Sequence, residues 1–287
     1  MREPGAGLDQ QSTLLPDGRT MRSVIGGHSG PLVVLEAGLG NTAATWVTVQ
    51  RAVSASCRTV SYDRAGLGGS DPGRAPRTLE NMADDAEAFL DAAGIDEPAI
   101  LVGHSWGGQL VRLLAQRAPQ RVLGCMLVDP TVSAVIADGQ VRVVSSLYRG
   151  LQLRVQLGGR QRLLRDQRRK WGVGMSSEDL DIALADFYTV DNLRTSRREA
   201  RHLQSAFPLL QQMEKTPSPV PVRYVAGTKD AEGDSARRLL ITECARVAAI
   251  TPGGRSVEIP DARHSIPQES PLRTAEQIML FAEEVSV

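Results

Sequence analysis

Apolar positions along this chain follow two rhythms. Short continuous apolar runs, bounded by Gly, Pro or Asp, alternate with longer stretches in which apolar residues recur every three or four positions. The first pattern is that of strands buried on both faces, the second that of amphipathic helices. Leu32–Glu36, Arg58–Tyr62, Ala99–Val102 and Val122–Val128 are predicted strands. A hairpin of Gln11–Leu15 and Thr20–Ile25 around Pro16-Asp17-Gly18 precedes them. Helices are predicted over Ala43–Ser54, Thr78–Ala93 and Trp106–Ala118. In the second of these Thr78 can cap the N-terminus, Leu79, Met82, Ala83, Ala86, Phe89, Leu90 and Ala93 share a face, and Gly94 ends the helix. Strands and helices taking turns predict an α/β fold, a mostly parallel sheet with helices on both faces.

The alternation breaks after Pro130. The next strand-like run is Val220–Ala226, and residues 131–219 carry helical patterning with no good strand. A parallel crossover needs only about a dozen residues. The excess predicts a helical cap inserted after the sixth strand, leaving through Pro217, Pro219 and Pro221. A helix over Ser235–Ile250, a strand over Arg255–Ile259 and a helix over Pro271–Glu284 complete the pattern. The expected organisation is a core of 1–130 and 220–287 with a cap of 131–219. The first nine residues form a loose arm.

Composition narrows the function classes. The 287 residues carry 33 Lys+Arg and 33 Asp+Glu, and zero net charge argues against a protein that coats nucleic acid or an anionic membrane. No apolar run reaches the roughly 20 residues of a membrane span, and the N-terminus lacks the apolar core of a secretory signal. Cys57, Cys125 and Cys244 are odd in number and widely spaced, which predicts reduced thiols and a cytoplasmic protein. With no CxxC and no histidine cluster, no zinc or other metal site is expected.

The chemistry concentrates in Gly103-His104-Ser105-Trp106-Gly107, which is G-x-S-x-G between a predicted strand and a predicted helix. A serine on so sharp a turn projects clear of the sheet, and glycines two residues either side remove side chains that would collide. The helix N-terminus behind Ser105 adds partial positive charge where an oxyanion would form. A serine hydroxyl needs a general base, and the base needs a carboxylate. Of four histidines, His264 lies in a loop past the last strand, where open α/β sheets place their sites. His28 and His202 read as surface or packing residues, and His104 lies inside the turn. Asp230, just past Val220–Ala226, is the expected carboxylate. Asp129, past Val122–Val128, is its rival from the neighbouring strand.

With Ser105, Asp230 and His264 in that chain order, the sequence resembles the α/β-hydrolase superfamily, and the proline-iminopeptidase-like and esterase members in particular. Two further blocks carry the resemblance: Glu36-Ala37-Gly38-Leu39-Gly40 after the third strand, and Tyr62-Asp63-Arg64-Ala65-Gly66-Leu67-Gly68-Gly69-Ser70-Asp71 after the fourth. The resemblance implies an α/β-hydrolase fold and an oxyanion hole made by the Leu39 and Trp106 N–H groups. It also implies a cofactor-free serine hydrolase acting on a small-molecule acyl substrate. Ala37 stands where many relatives have His, which alters how the loop is braced. A serine at the elbow, where some relatives carry Asp, argues against haloalkane dehalogenase or epoxide hydrolase chemistry. Aminopeptidase, thioesterase, lactonase, C–C hydrolase and non-hydrolytic binding roles stay open on the same residues. The basic run Arg160–Lys170 reads first as a solvated helix face and second as a dock for an acidic carrier.

Overall fold

The computed structural model describes residues 7–135 and 140–286. The part of the expected loose arm in residues 1–6 lies outside the described residues. Eight strands form one sheet: β1 (Asp9–Leu14), β2 (Thr20–Gly26), β3 (Leu32–Glu36), β4 (Arg58–Tyr62), β5 (Ala99–His104), β6 (Val122–Val128), β7 (Val222–Gly227) and β8 (Arg255–Ile259). Their order is β1-β2-β4-β3-β5-β6-β7-β8. The β1–β2 and β2–β4 pairs are antiparallel and the rest are parallel, so β3 through β8 end on the same side. Strand β7 begins two residues later than the sequence suggested. Pro219 and Pro221 lack the N–H that a ladder requires, and pairing with β6 starts at Val222.

Helices α1 (Val47–Val53), α2 (Leu79–Ala92), α3 (Trp106–Arg117), α9 (Ser235–Ala249), α10 (Ile266–Glu269) and α11 (Pro271–Val285) belong to the alternating part of the chain. Helices α4 (Gln140–Gln156), α5 (Arg160–Trp171), α6 (Ser177–Ala185), α7 (Val190–Arg201) and α8 (Phe207–Lys215) lie between β6 and β7. Thr78 Oγ1 accepts from the Asn81 N–H to open α2, and the predicted apolar face is buried from Leu79 to Phe89, with Leu90 half-buried and Ala93, past the helix end, exposed. Two apolar cores sandwich the sheet. One centres on Leu101, Leu110, Leu127 and Tyr224, the other on Val33, Val102, Met126 and Ile278. A smaller cluster joins Val47 of α1 to Trp171, Met175, Leu180 and Leu184 of the helical segment. All three cysteines are buried free thiols. Among the described residues no helix is long and apolar enough to cross a membrane.

Candidate active site

The sharp turn after β5 has the geometry its glycines anticipate. Ser105 sits at φ 53° and ψ −118°, a conformation that L residues rarely adopt, and its N–H is held by the Val128 carbonyl at 2.9 Å. A Cβ on Gly103 would come within 2.3 Å of the Gly107 carbonyl oxygen, and one on Gly107 within 2.5 Å of the Ala37 carbonyl oxygen. The turn therefore packs backbone on backbone and can be made only with glycine at both positions. Trp106 opens α3, where the first N–H groups have no acceptor within the helix.

His264 lies in the loop past β8, and its Nδ1 is 2.7 Å from Asp129 Oδ2. Asp129 follows β6 directly, with φ 44° and no solvent exposure. Its carboxylate accepts from the Gly227 N–H at 3.0 Å and from Arg237 Nη1 at 2.5 and 2.7 Å. Burial raises the Asp129 carboxyl, but the His264 hydrogen bond and the Arg237 charge outweigh it and hold it below the usual carboxylate value.

Asp230, the expected partner of His264, is not beside it. The Thr228 and Lys229 N–H groups bond to the Ile259 and Ala262 carbonyls, which lays this loop along the one carrying His264. Asp230 then turns outward at φ 60° to pair with the exposed Arg263. The carboxylate that meets the imidazole comes from the strand next to the nucleophile's, as the rival reading had it. A sequence signal favoured that outcome. Asp129 ends a wholly apolar run, so its carboxylate is buried and must find partners, whereas Asp230 lies in the hydrophilic stretch Lys229-Asp230-Ala231-Glu232-Gly233-Asp234.

His104 is a residue that sequence reasoning passed over. Its Nε2 lies 2.7 Å from the His264 carbonyl oxygen, and the two rings are 5.0 Å apart. Burial, with a contribution from His264, lowers its pKa from 6.5 to about 4. The ring is thus neutral near pH 7, donates from Nε2 and pins the loop that carries His264.

The segment after β3 is held from three directions. Arg64, fully buried, donates to the Ala37 carbonyl at 2.6 Å and the Gly38 carbonyl at 2.8 Å, and it pairs with Glu36. It also makes a double hydrogen bond, 2.9 Å each, to Glu199 of α7. Glu199 Oε2 accepts the Gly40 N–H at 3.0 Å, and Asn192 of α7 donates to the Gly40 carbonyl at 2.8 Å. Tyr148 of α4 reaches the Leu39 carbonyl at 3.3 Å. Leu39 N–H has no acceptor among the described residues. Burial raises the Glu36 carboxyl despite Arg64, while Arg64 keeps Glu199 low despite burial. The two carboxyls around one guanidinium thus shift in opposite directions.

A cavity of about 380 Å³ opens beside these groups. Ser105, His264, Leu39 and Trp106 line its floor, and Val144, Tyr148, Trp171, Phe187 and Leu203 from the helical segment line its roof. No Asp, Glu, Lys or Arg is among its described lining residues. Ser105 Oγ forms no hydrogen bond among the described residues; such contacts are often long in a free enzyme and tighten on substrate binding. A larger cavity of about 500 Å³ lies at the opposite end of β5 and β6, around Leu90, Ala99, Arg121 and Val122, with no Ser, Cys or His in its lining. Among the described residues no group of His, Cys, Asp and Glu is arranged to hold a metal ion. In the basic helix α5, Arg160 donates to the carbonyls of Ala185, Phe187 and Tyr188, Arg168 pairs with Asp181 and Arg169 with Asp166.

The fold and this strand-end site are those of an α/β hydrolase, and a family model described as alpha/beta hydrolase fold matches residues 31–219. The chain belongs to that family. Residues of the chain are 37% identical over 114 positions to RutD of Azorhizobium caulinodans, named as a candidate carbamate hydrolase, covering 40% of this chain and 42% of that protein. They are 43% identical over 103 positions to the protein named Probable transporter efuK of Hormonema carpetanum, covering 34% of this chain and 15% of that one. The chain thus spans less than half the length of either relative. Among solved structures, Cfl2 of Burkholderia cenocepacia superposes with a TM-score of 0.75 at 21% identity, over 96% of each chain.

Proposed function

We propose that the chain is a serine hydrolase that cleaves an uncharged small-molecule carboxylic ester through Ser105, His264 and Asp129. The observation that carries this reading is the 2.7 Å bond between His264 Nδ1 and Asp129, made in the loop that lines one cavity with Ser105. In the proposed cycle Ser105 Oγ attacks the acyl carbon while His264 Nε2 takes its proton. The tetrahedral oxygen receives the Leu39 and Trp106 N–H groups, each such donor lowering the barrier by about 3 kcal/mol. His264 then protonates the leaving alcohol and activates water against the acyl-enzyme. Asp129 holds the Nδ1–H tautomer and offsets the imidazolium charge.

Residues 131–219 act in this reading as a cap whose aromatic residues bind the acyl chain. The lack of a formal charge in the described lining favours neutral acyl groups over an aminopeptidase substrate, whose ammonium would need a carboxylate partner. Three buried free thiols fit a cytoplasmic setting. The test is labelling by a fluorophosphonate together with hydrolysis of p-nitrophenyl esters of increasing chain length, beside aminoacyl anilides and thioesters. Wild type is expected to label and to turn over esters, and Ser105→Ala to do neither. A folded wild type that neither labels nor hydrolyses any of them overturns the reading.

A further inference from the structure

A second cavity, of about 360 Å³, lies between the loop after β4 and the C-terminal turn of α7. Its lining is Gly73, Arg74, Ala75, Pro76, Arg77, Arg198, Arg201 and His202, so four arginines border one space with no carboxylate among the described lining residues. Arg74, Arg198 and Arg201 are exposed, and none forms an ion pair among the described residues. Basic residues in the last turn of a helix suit its dipole, which accounts for Arg198 and Arg201. It does not account for Arg77.

Arg77 is 3% exposed. Its Nη1 bonds to Asp85 at 2.5 Å, but Nε and Nη2 are buried with no partner among the described residues. Buried donors are nearly always satisfied, and idle ones call for an acceptor. The chain also passes close over this guanidinium: a Cβ on Gly73 would lie 2.8 Å from Arg77 Nη1. The nearby acids are committed elsewhere. Asp85 is shared between Arg77 and Arg19, Asp17 bonds to Arg19, and Glu199 is held by Arg64 and the Gly40 N–H. The pocket is therefore left with the surplus positive charge of Arg74, Arg198 and Arg201, with the buried Arg77 beneath them.

We propose that this pocket binds a phosphoryl group, as inorganic phosphate or a phosphate monoester. A guanidinium fork fits two oxygens of a tetrahedral anion, and several forks can share a dianion. A carboxylate, planar and singly charged, leaves most of these donors idle. The site is separate from the cavity at Ser105, and the proposal does not depend on how that cavity is used.

The experiment is thermal unfolding and calorimetric titration of the whole chain with inorganic phosphate, against sodium chloride at matched ionic strength. A ligand that binds only the folded state raises the midpoint in a saturable way. Wild type is expected to show that rise with phosphate and not with chloride. Arg198→Glu combined with Arg201→Glu, both at exposed positions, is expected to weaken phosphate binding by about tenfold or more. Arg77→Gln is expected to weaken it further, and the exposed pair keeps the test sound if that variant does not fold. An equal rise with chloride, or unchanged affinity in the double variant, overturns the proposal. The source of the phosphoryl group is read from competition. Phenyl phosphate that displaces bound inorganic phosphate and binds more tightly identifies a phosphate monoester as the ligand, and phenyl phosphate that does not displace it identifies the free ion.

Discussion

Replacing Asp129 by Asn, and separately Asp230 by Asn, distinguishes two carboxylates that each follow a strand in the sequence. In Asp129→Asn the shape is kept and the charge lost. The remaining amide oxygen can serve Gly227 and Arg237, which donate to Oδ1 at 3.0 and 2.5 Å. The new NH₂ then faces His264 Nδ1, now 2.7 Å from Oδ2. Two donors cannot face each other, so Nδ1 becomes an acceptor and the ring proton moves to Nε2, where it blocks proton abstraction from Ser105. Loss of the correct tautomer in a triad costs about 10⁴-fold in kcat, or about 5 kcal/mol in the barrier. Removing one partner of a buried pair costs a further 3 kcal/mol or so in stability. The Asp230 pair with Arg263 is well exposed on both sides and contributes at most about 1 kcal/mol to stability and almost nothing to rate. The assay is steady-state ester hydrolysis at pH 7 to 8, with circular dichroism melts to count only folded protein. Asp129→Asn is expected to fall by about four orders of magnitude and Asp230→Asn to stay within about twofold of wild type. A reversal of that ranking, or two equally mild effects, refutes the assignment of Asp129.

Glu199→Gln, which loosens Arg64 and the Gly40 N–H together, is expected to lower kcat about 10- to 100-fold with a much smaller change in KM; a pure KM effect argues against a role in placing Leu39. His104 gives the stability curve an acid slope, because its folded pKa of about 4 lies below its ordinary 6.5. The unfolded chain takes up the proton first as pH falls from 6.5 to 4, so about 3 kcal/mol of stability is lost across that window. Urea unfolding at pH 7, 5.5 and 4 measures this slope, and His104→Gln, which keeps a donor for the His264 carbonyl, is expected to flatten it. Arg237→Met leaves Asp129 with two partners and is expected to destabilise by about 3 kcal/mol, with Arg237→Lys recovering part of the loss in the same melts.

Local signals carried most of the fold. The all-apolar run Val122–Val128, the α2 face with its Thr78 cap and Gly94 stop, and the glycine spacing about Ser105 each act within a few residues. The strand ends that hold Ser105 and His264 were legible for the same reason. The choice of carboxylate was not settled, because Asp129 and Asp230 both follow strands and differ in which way a loop turns. That turn is decided by the Thr228 and Lys229 bonds to Ile259 and Ala262, more than 30 residues away. Arg237, 108 positions from Asp129, and Glu199, 135 from Arg64, gave no signal, since each reads as an ordinary charged residue on a helix. The insertion's basic run was legible as charge, but its pairing with Asp166, Asp181 and backbone carbonyls required the folded chain.

Glu199 also bears on which helix of the segment is fixed to the core. Helix α7 is joined to the segment after β3 by an ion cluster with no access to water: Glu36, Arg64 and Glu199 are all within 2% exposure. The same helix supplies Asn192, which donates to the Gly40 carbonyl and accepts from the Gly68 N–H. Lifting α7 would strip Arg64 of one carboxylate and leave the Gly40 N–H without its acceptor, a cost of several kcal/mol. Helix α5 has a different attachment. Its ion pair with α6, Arg168–Asp181, is exposed and weak, and the apolar packing of Trp171 and Leu164 on Leu180 and Leu184 holds the two helices together. Helix α7 is therefore fixed to the core through the segment that carries Leu39, which lines the Ser105 cavity. The helical segment thus does two separable things: one helix sets the geometry of the segment after β3, and the others line the cavity above it.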